Sequence, residues 1–390
     1  MNRQMKYRNL FMFLVFVAAG ALVISCAPKA AKPVSEMDTP EHHFYTGVKL
    51  LDQGKYAAAQ MEFDRSIQLA PKYSKAYAGN GLVKAYQGDS RGAFDVMKQA
   101  WKYAKQDDET VFVHVCRIRL YTMGKPDKGW LNDASSEFEA AIKIDPQSAA
   151  AYYFMGLAQK SALNFENAGQ MFKQVIDINK DYVKEADVEW NLTQKIQRAM
   201  PGTVAGKKIA IVERITRADA AALFMEELKI DVLYKKRTPK TFDTAFKDPE
   251  KAKVAAGAAP ATATDIADHP LKVDIEGVLA IGVRGLEVYP DGTFRPSEFV
   301  DRATYAMMIE DILIKVTGDN ALATKFIGST SPFPDLRSDL PYFNAVMVVT
   351  SRGIMQAKDL TTGEFAPLKP VPGVDALLII RKIKEELKFF

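Results

Sequence analysis

Asp291-Gly292-Thr293-Phe294-Arg295-Pro296 is followed by Val300-Asp301-Arg302-Ala303 and the apolar run Ala306-Met307-Met308-Ile309. The design returns as Thr362-Gly363-Glu364-Phe365-Ala366-Pro367, followed by Val371 and Leu377-Leu378-Ile379-Ile380. Gly, Phe, Pro and the helix start hold one register in both. Upstream of each lies a segment ending in Gly plus an apolar residue, Gly285-Leu286 and Gly353-Ile354, and the later copy opens with Phe333-Pro334-Asp335. The Asp291-Gly292 pair is first a turn former, and calcium ligation would need more carboxylates than this loop provides.

This loop-to-helix pattern resembles the S-layer homology module, in which a helix, a Tyr/Pro-Asp-Gly-x-Phe loop and a second helix opening on Thr-Arg-Ala-Glu follow one another. Modules of that family come in threes, so a further copy is expected. Ile215-Thr216-Arg217-Ala218-Asp219 supplies its helix start, with Thr216 as N-cap and Asp219 close to a capping box. Its first helix is expected at Ala186 to Ala199, ahead of Pro201-Gly202; the same segment also reads as a terminal cap of the repeats upstream. The copies are placed at residues 183–234, 265–318 and 331–390. Residues 235–264, with Thr238-Pro239, Asp248-Pro249 and the run Ala255 to Ala261, read as a flexible insertion, and 319–330 as a linker.

The resemblance implies a helical, pseudo-threefold module that attaches proteins noncovalently to cell-wall polymers, with anionic, often pyruvylated sugar held in the grooves between copies. Carried over by position, it nominates Arg217, Arg302 and Asp335, with Asp268 as a weaker counterpart. An Arg at a helix N-terminus suits an anion, because its fork donates paired bonds and the helix amides add partial positive charge. Against that stands the plain reading that each Arg ties down its own loop. Copy three lacks the Arg, reading Val371-Pro372-Gly373-Val374-Asp375, and Asp301 places a negative charge beside Arg302.

The N-terminal half repeats at about 34 residues. Gly47 and Gly81, Ala59 and Ala93, Ala134 and Ala168, and Phe138 and Phe172 all stand one such interval apart. Small residues let two helices of a unit pack closely, bulky positions fill the gap between units, and Pro71 and Pro146 stop the second helices. The pattern resembles tetratricopeptide repeats, with four units at 40–73, 74–107, 108–148 and 149–182. Ala93 and Ala134 are seven residues further apart than one period; the excess is read as a longer inter-helix loop around Met123 to Gly129. The resemblance implies a curved groove for a protein or peptide. Lys84, Arg117 and Gln159 are nominated as its contacts, while Tyr45, Tyr77, Tyr121 and Tyr152 read chiefly as packing.

The chain starts with Arg3, Lys6 and Arg8, continues uncharged from Leu10 to Ile24, and reaches Val23-Ile24-Ser25-Cys26. About 15 apolar residues are too few for a comfortable bilayer span, which needs roughly 20. The segment resembles the lipobox signal of bacterial lipoproteins: residues 1–25 removed, Cys26 lipidated, and 26–39 a tether. Several acyl chains anchor a protein effectively permanently. Ala27 after the Cys resembles the pattern sorted to the outer membrane. Removing the signal takes the net charge from +4 to about +1, which speaks against nucleic acid. Cys116 is then the only other cysteine, expected in the core, so no intramolecular disulfide forms.

Catalytic signatures are not found in the sequence. Gly202 to Lys208 lacks the Ser/Thr of a phosphate loop, and the four histidines have no ligand spacing. The expected protein is therefore an all-α, non-enzymatic, cofactor-free envelope lipoprotein, facing the periplasm from the outer membrane. It joins a membrane to wall polymer or peptidoglycan and scaffolds a protein partner. The alternative is an assembly or secretion-machinery lipoprotein whose C-terminal copies bind proteins.

Overall fold

The computed structural model describes residues 30–237 and 263–387. The export signal, Cys26 and most of the expected insertion lie outside the described residues. Every regular element among the described residues is helical, apart from two isolated bridges, Thr216 with Phe299 and Asp301 with Pro370. No helix among them is long and apolar enough to cross a membrane. The chain divides into two compact units at Asp187/Val188.

Unit one is a run of helical hairpins: α1 (Pro40–Asp52) with α2 (Tyr56–Leu69), α3 (Ser74–Tyr86) with α4 (Ser90–Tyr103), α5 (Asp107–Gly124) with α6 (Trp130–Ile144), and α7 (Ala149–Ser161) with α8 (Phe165–Ile178). Within a hairpin the recurrent glycine lets an aromatic ring or a methionine sit against the facing backbone. A Cβ on Gly47 would stand 2.6 Å from the Phe63 ring, and one on Gly156 2.6 Å from the Phe172 ring; Gly81 faces Met97 at 3.1 Å. Phe63 is also clasped from the next hairpin, where a Cβ on Gly79 would lie 2.5 Å away. The ring thereby joins two repeats, and neither hairpin could bury it alone.

Gly156→Ala is therefore expected to destabilise unit one. The clash with a fully buried ring costs about 1–3 kcal/mol, against about 1 kcal/mol gained from better helix propensity. Urea unfolding followed by circular dichroism checks the sign.

The seven extra residues of the third hairpin are distributed differently from the expectation. Helix α5 has 18 residues where α1, α3 and α7 have 13, so five of them lengthen the helix and only two enter the connection at Lys125–Gly129. Asp107, Asp108 and Glu109 in the first turn favour a longer helix through the dipole, and Glu109 completes a capping box with Gln106.

Helix α9 (Val183–Ala199) carries the division between the units. Unit two continues with α10 (Val204–Ala210), α11 (Arg217–Ala222, extended by a π-turn at Leu223–Glu227) and α12 (Ile230–Arg237). After the undescribed stretch come α13 (Lys272–Ile281), α14 (Arg302–Thr317), α15 (Phe343–Ser351) and α16 (Gly373–Glu386). These form three helix pairs closed in a ring: α11 packs on α13, α14 on α15 and α16 on α10. The first helix of copy one is thus the seven-residue α10 and not Ala186–Ala199.

A cycle of three backbone hydrogen bonds marks the axis. Ile215 N donates to Val371 O (2.9 Å), Val371 N to Val300 O (3.1 Å), and Val300 N to Ile215 O (3.0 Å). Phe224 stacks on Tyr305 beside it, with ring centres 5.7 Å apart, and the Tyr305 hydroxyl reaches Ala376 O at 3.4 Å. Residues from all three copies therefore meet in one core. The stretch expected as a linker is built into it too: Asn320–Thr324 forms a 3-10 turn, Leu322 is buried, and Asn344 Oδ1 accepts from Phe326 N at 2.8 Å.

Candidate functional site

The starts of α11 and α14 each grip the loop of the next copy, so the nominated arginines face inward. Arg217 is 6% exposed and donates Nε to Phe294 O (2.8 Å), Nη1 to Gly285 O (2.6 Å) and Nη2 to Glu287 O (2.8 Å). Its guanidinium also lies over the rings of Phe294 and Tyr289, at 4.7 and 4.8 Å. Arg302, 5% exposed, repeats the arrangement one copy later, with Nε to Phe365 O (2.8 Å), Nη2 to Gln356 O (2.6 Å) and the Phe365 ring at 4.5 Å. Each arginine thus ties down the following copy's loop, where the plain sequence reading placed it on its own. Burial holds the Arg302 guanidinium below its ordinary value, opposed by Asp375 and Asp335.

The flanking amides complete the same junctions. Arg217 N and Ala218 N donate to Glu298 O and Pro296 O, and Arg302 N and Ala303 N to Lys369 O and Pro367 O. Helix N-terminal amides have no partner inside their own helix, and here the neighbouring loop satisfies them. Thr216 forms the expected capping box with Asp219, and Asp301 Oδ1 accepts from Thr304 N at 2.7 Å.

Asp335 likewise serves its loop, accepting from Phe365 N (2.9 Å) and Ala366 N (2.7 Å). Its counterpart in copy two is Asp265, which accepts from Phe294 N (2.7 Å) and Arg295 N (2.8 Å). Asp268, one turn further along, is exposed. The residues after the paired phenylalanines, Arg295 and Ala366, both take positive φ, 54° and 55°, and the carboxylates hold those strained turns in place.

Two cavities border the gripped loops. One of about 380 Å³ is lined by Arg217 but also by Glu287, Glu298 and Asp301, so carboxylates dominate its rim. The other, about 590 Å³, lies between copies two and three, with Arg302 among its lining residues. Around it stand Lys195, Arg198, Lys358, Arg381 and Lys382, against Asp375 and Glu385. Lys358 pairs with Asp375 at 3.1 Å and Lys382 with Glu385 at 3.5 Å, which leaves Lys195 and Arg198, both exposed, as an added positive edge supplied by α9. Sequence reasoning missed this set because its cations come from three separate segments.

The apparent phosphate loop is filled from within. Glu227, buried at 4% exposure, accepts from Gly202 N (3.1 Å) and from Thr203 N and Oγ1 (both 2.8 Å). A Cβ on Gly206 would stand 2.1 Å from its Oε1, and Lys384 approaches the other oxygen at 3.7 Å. The anion these amides attract is the protein's own carboxylate.

Unit one carries a groove of about 820 Å³ along its first helices. Lys75, Gly79 and Leu82 line it from α3, and Asp108, Val111, Phe112, Val115 and Arg119 from α5. None of the nominated contacts does. Lys84 pairs with Asp89 (3.4 Å), Gln159 accepts from Asn164 Nδ2 (3.1 Å), and Arg117 binds Glu137 (2.9 Å). Glu137 in turn holds the buried His114 at 2.7 Å, so Glu137 joins α5 to α6 through His114 and the partly exposed Arg117. Cys116 is fully buried, and burial pushes its thiol up to about 12.

The S-layer homology domain family model matches residues 286–306, which hold the gripped loop of copy two and the start of α14. That match associates the chain with the cell surface or envelope and suggests cell-wall binding. Among solved structures, the crystal structure of YrrB, a TPR protein with an unusual peptide-binding site, is similar at 19% identity over 40% of this chain and 93% of that one, with a TM-score of 0.19. The comparison with curated proteins gives no match.

Proposed function

We propose that this protein is a non-catalytic envelope lipoprotein, anchored through Cys26 in the outer membrane and facing the periplasm, that ties the membrane to anionic wall polymer or peptidoglycan and scaffolds a protein partner in its repeat groove. The observation that carries the wall-binding half is the cavity between copies two and three, where Lys195 and Arg198 add positive charge to a cleft floored by Arg302. Acidic sugars meet there a cluster of cations whose own paired acids do not neutralise it. In the cleft bordered by Arg217, by contrast, Glu287, Glu298 and Asp301 oppose an anion. The role assigned to Arg302 and Asp335 is then to fix the shape of the cleft, with polymer contact made at the lysine and arginine edge.

Co-sedimentation of the full chain with sacculi that retain their accessory polymers tests this. Lys195→Glu with Lys382→Glu, both at surface positions, is expected to cut binding about tenfold or more while leaving the unfolding midpoint unchanged; each reversed charge removes an attraction and adds a repulsion of similar size. Binding equal to wild type would reject the cleft. Absence of binding by the wild type would move the function to the repeat groove, in the manner of an assembly or secretion-machinery lipoprotein.

A further inference from the structure

The groove of unit one is charged with the opposite sign to the one its nominated contacts implied. Six carboxylates border it: Asp52, Asp107, Asp108, Asp145, Asp181 and Glu185. Against them stand two cations, Lys75 and Arg119, and Lys75 is already bound to Asp108 at 2.5 Å. Asp52, Asp107, Asp181 and Glu185 are exposed, with no ion pair to a cation among the described residues. Between the rim acids lie aromatic surfaces, Tyr45 (65% exposed) and the half-buried Phe112 and Phe154.

The floor supplies a second, independent sign of a ligand. Arg119 lies with its guanidinium 4.4 Å from the Phe154 ring centre, and its Nη2 donates to Tyr86 Oη at 3.3 Å. Its Nε is buried and has no hydrogen-bond partner. An unmet buried donor is costly, and more so on a charged group. Arg119 lines the groove, and a carbonyl oxygen that shifted the side chains over it would satisfy this donor.

We propose that the groove holds an extended peptide segment rich in lysine or arginine, which gives one backbone carbonyl to Arg119 Nε and its cationic side chains to the rim carboxylates. This rests on the scaffolding role proposed above and names the chemistry of the partner. A small polyamine would match the rim but bring no carbonyl, and an acidic peptide would match Arg119 alone while facing repulsion along the rim. An extended basic chain meets both demands, and its aliphatic lysine stems cover the aromatic surfaces.

The test uses the full chain in detergent and three fluorescein-labelled peptides of equal length, sharing one apolar scaffold and carrying Lys, Gln or Glu at every third position. Fluorescence anisotropy is expected to rank Lys about tenfold above Gln, with Glu weakest, and added salt is expected to narrow the gap. Asp52→Asn with Asp181→Asn and Glu185→Gln is expected to weaken the Lys peptide about tenfold and leave the Gln peptide unchanged. Gln or Glu binding as tightly as Lys, an unchanged Lys affinity in the triple variant, or no binding of any peptide overturns the proposal. A photo-crosslinker at Tyr45 in intact cells separates the two levels. A protein captured there while the Lys preference fails leaves the scaffold role standing without its basic ligand; no capture together with no peptide binding removes both.

Discussion

Arg217→Ala is expected to cost unit two about 3–5 kcal/mol, since hydrogen bonds made by a charged group contribute about 1.5–3 kcal/mol each and two of the three here are only part-buried. The side chain makes three bonds to carbonyls of a different copy and lies between two aromatic rings. Truncation would leave the buried Phe294 carbonyl, and the part-buried carbonyls of Gly285 and Glu287, without this donor, and the orphaned buried group carries a desolvation penalty. A domain's whole stability is about 5–15 kcal/mol, so the loss is a large share of it. Arg217→Lys is expected to recover little, because one ammonium cannot span three carbonyls held in a fork. Urea unfolding of the full chain, followed by a probe placed in unit two, measures the shift.

The same substitution separates two roles that a wall-binding assay alone would confuse. If Arg217 touched polymer directly, the alanine variant would unfold at nearly the wild-type urea concentration and lose only binding. If it holds copy two's loop against copy one, binding falls because the module loosens, and the unfolding midpoint falls with it. A midpoint within experimental error of wild type would refute the structural role described here.

How far the fold could be read from the residues depended on spacing. The 34-residue interval was legible because close helix packing demands a missing Cβ at a fixed phase, and Gly47 and Gly156 meet that demand against Phe63 and Phe172. The Gly-x-Phe loop was legible for a different reason: Gly292 and Gly363 take φ of 79° and 74°, a backbone conformation that favours glycine. Copy one's first helix was displaced to Ala186–Ala199 because α10 has only seven residues, too short for periodicity to single out.

The candidate sites were harder to read, since a residue type does not reveal which way it faces. Arg117 and Arg119 are two positions apart on α5, which puts them on nearly opposite sides of the helix; Arg117 is consumed by Glu137, and Arg119 floors the groove. Lys84 misses it in the same way, two residues beyond Leu82. Arg217 and Arg302 were rightly placed at helix N-termini, yet the partners they meet there are neutral carbonyl oxygens 77 and 63 residues away in the chain. Only the closed ring of copies brings those atoms together.

Copy three's missing arginine follows from that closure, and Gly373→Ala is expected to break it. Gly373 occupies the position of Arg217 and Arg302, one step past the helix cap, but the copy it meets is copy one. Copy one has no long Gly-x-Phe loop: only Ile211 to Arg214 separate α10 from Ile215, so an arginine would have nothing comparable to grip. Instead the backbones touch. Gly373 N donates to Val212 O at 2.9 Å, and a Cβ on Gly373 would stand 1.7 Å from Ile209 O and 2.8 Å from its carbon. Neither atom belongs to a flexible side chain, so relief requires α16 to move off α10 and the bond from Ile215 N to Val371 O to open with it. Overpacking costs typically about 1–3 kcal/mol and more where backbone must shift; a loss of about 3 kcal/mol or more is expected here. Hydrogen exchange at Ile215, Val300 and Val371 reads the event directly. Loss of protection at Ile215 ahead of Val300 would show the ring opening at the junction of copies three and one, whereas wild-type protection at all three would show that this glycine does not close it.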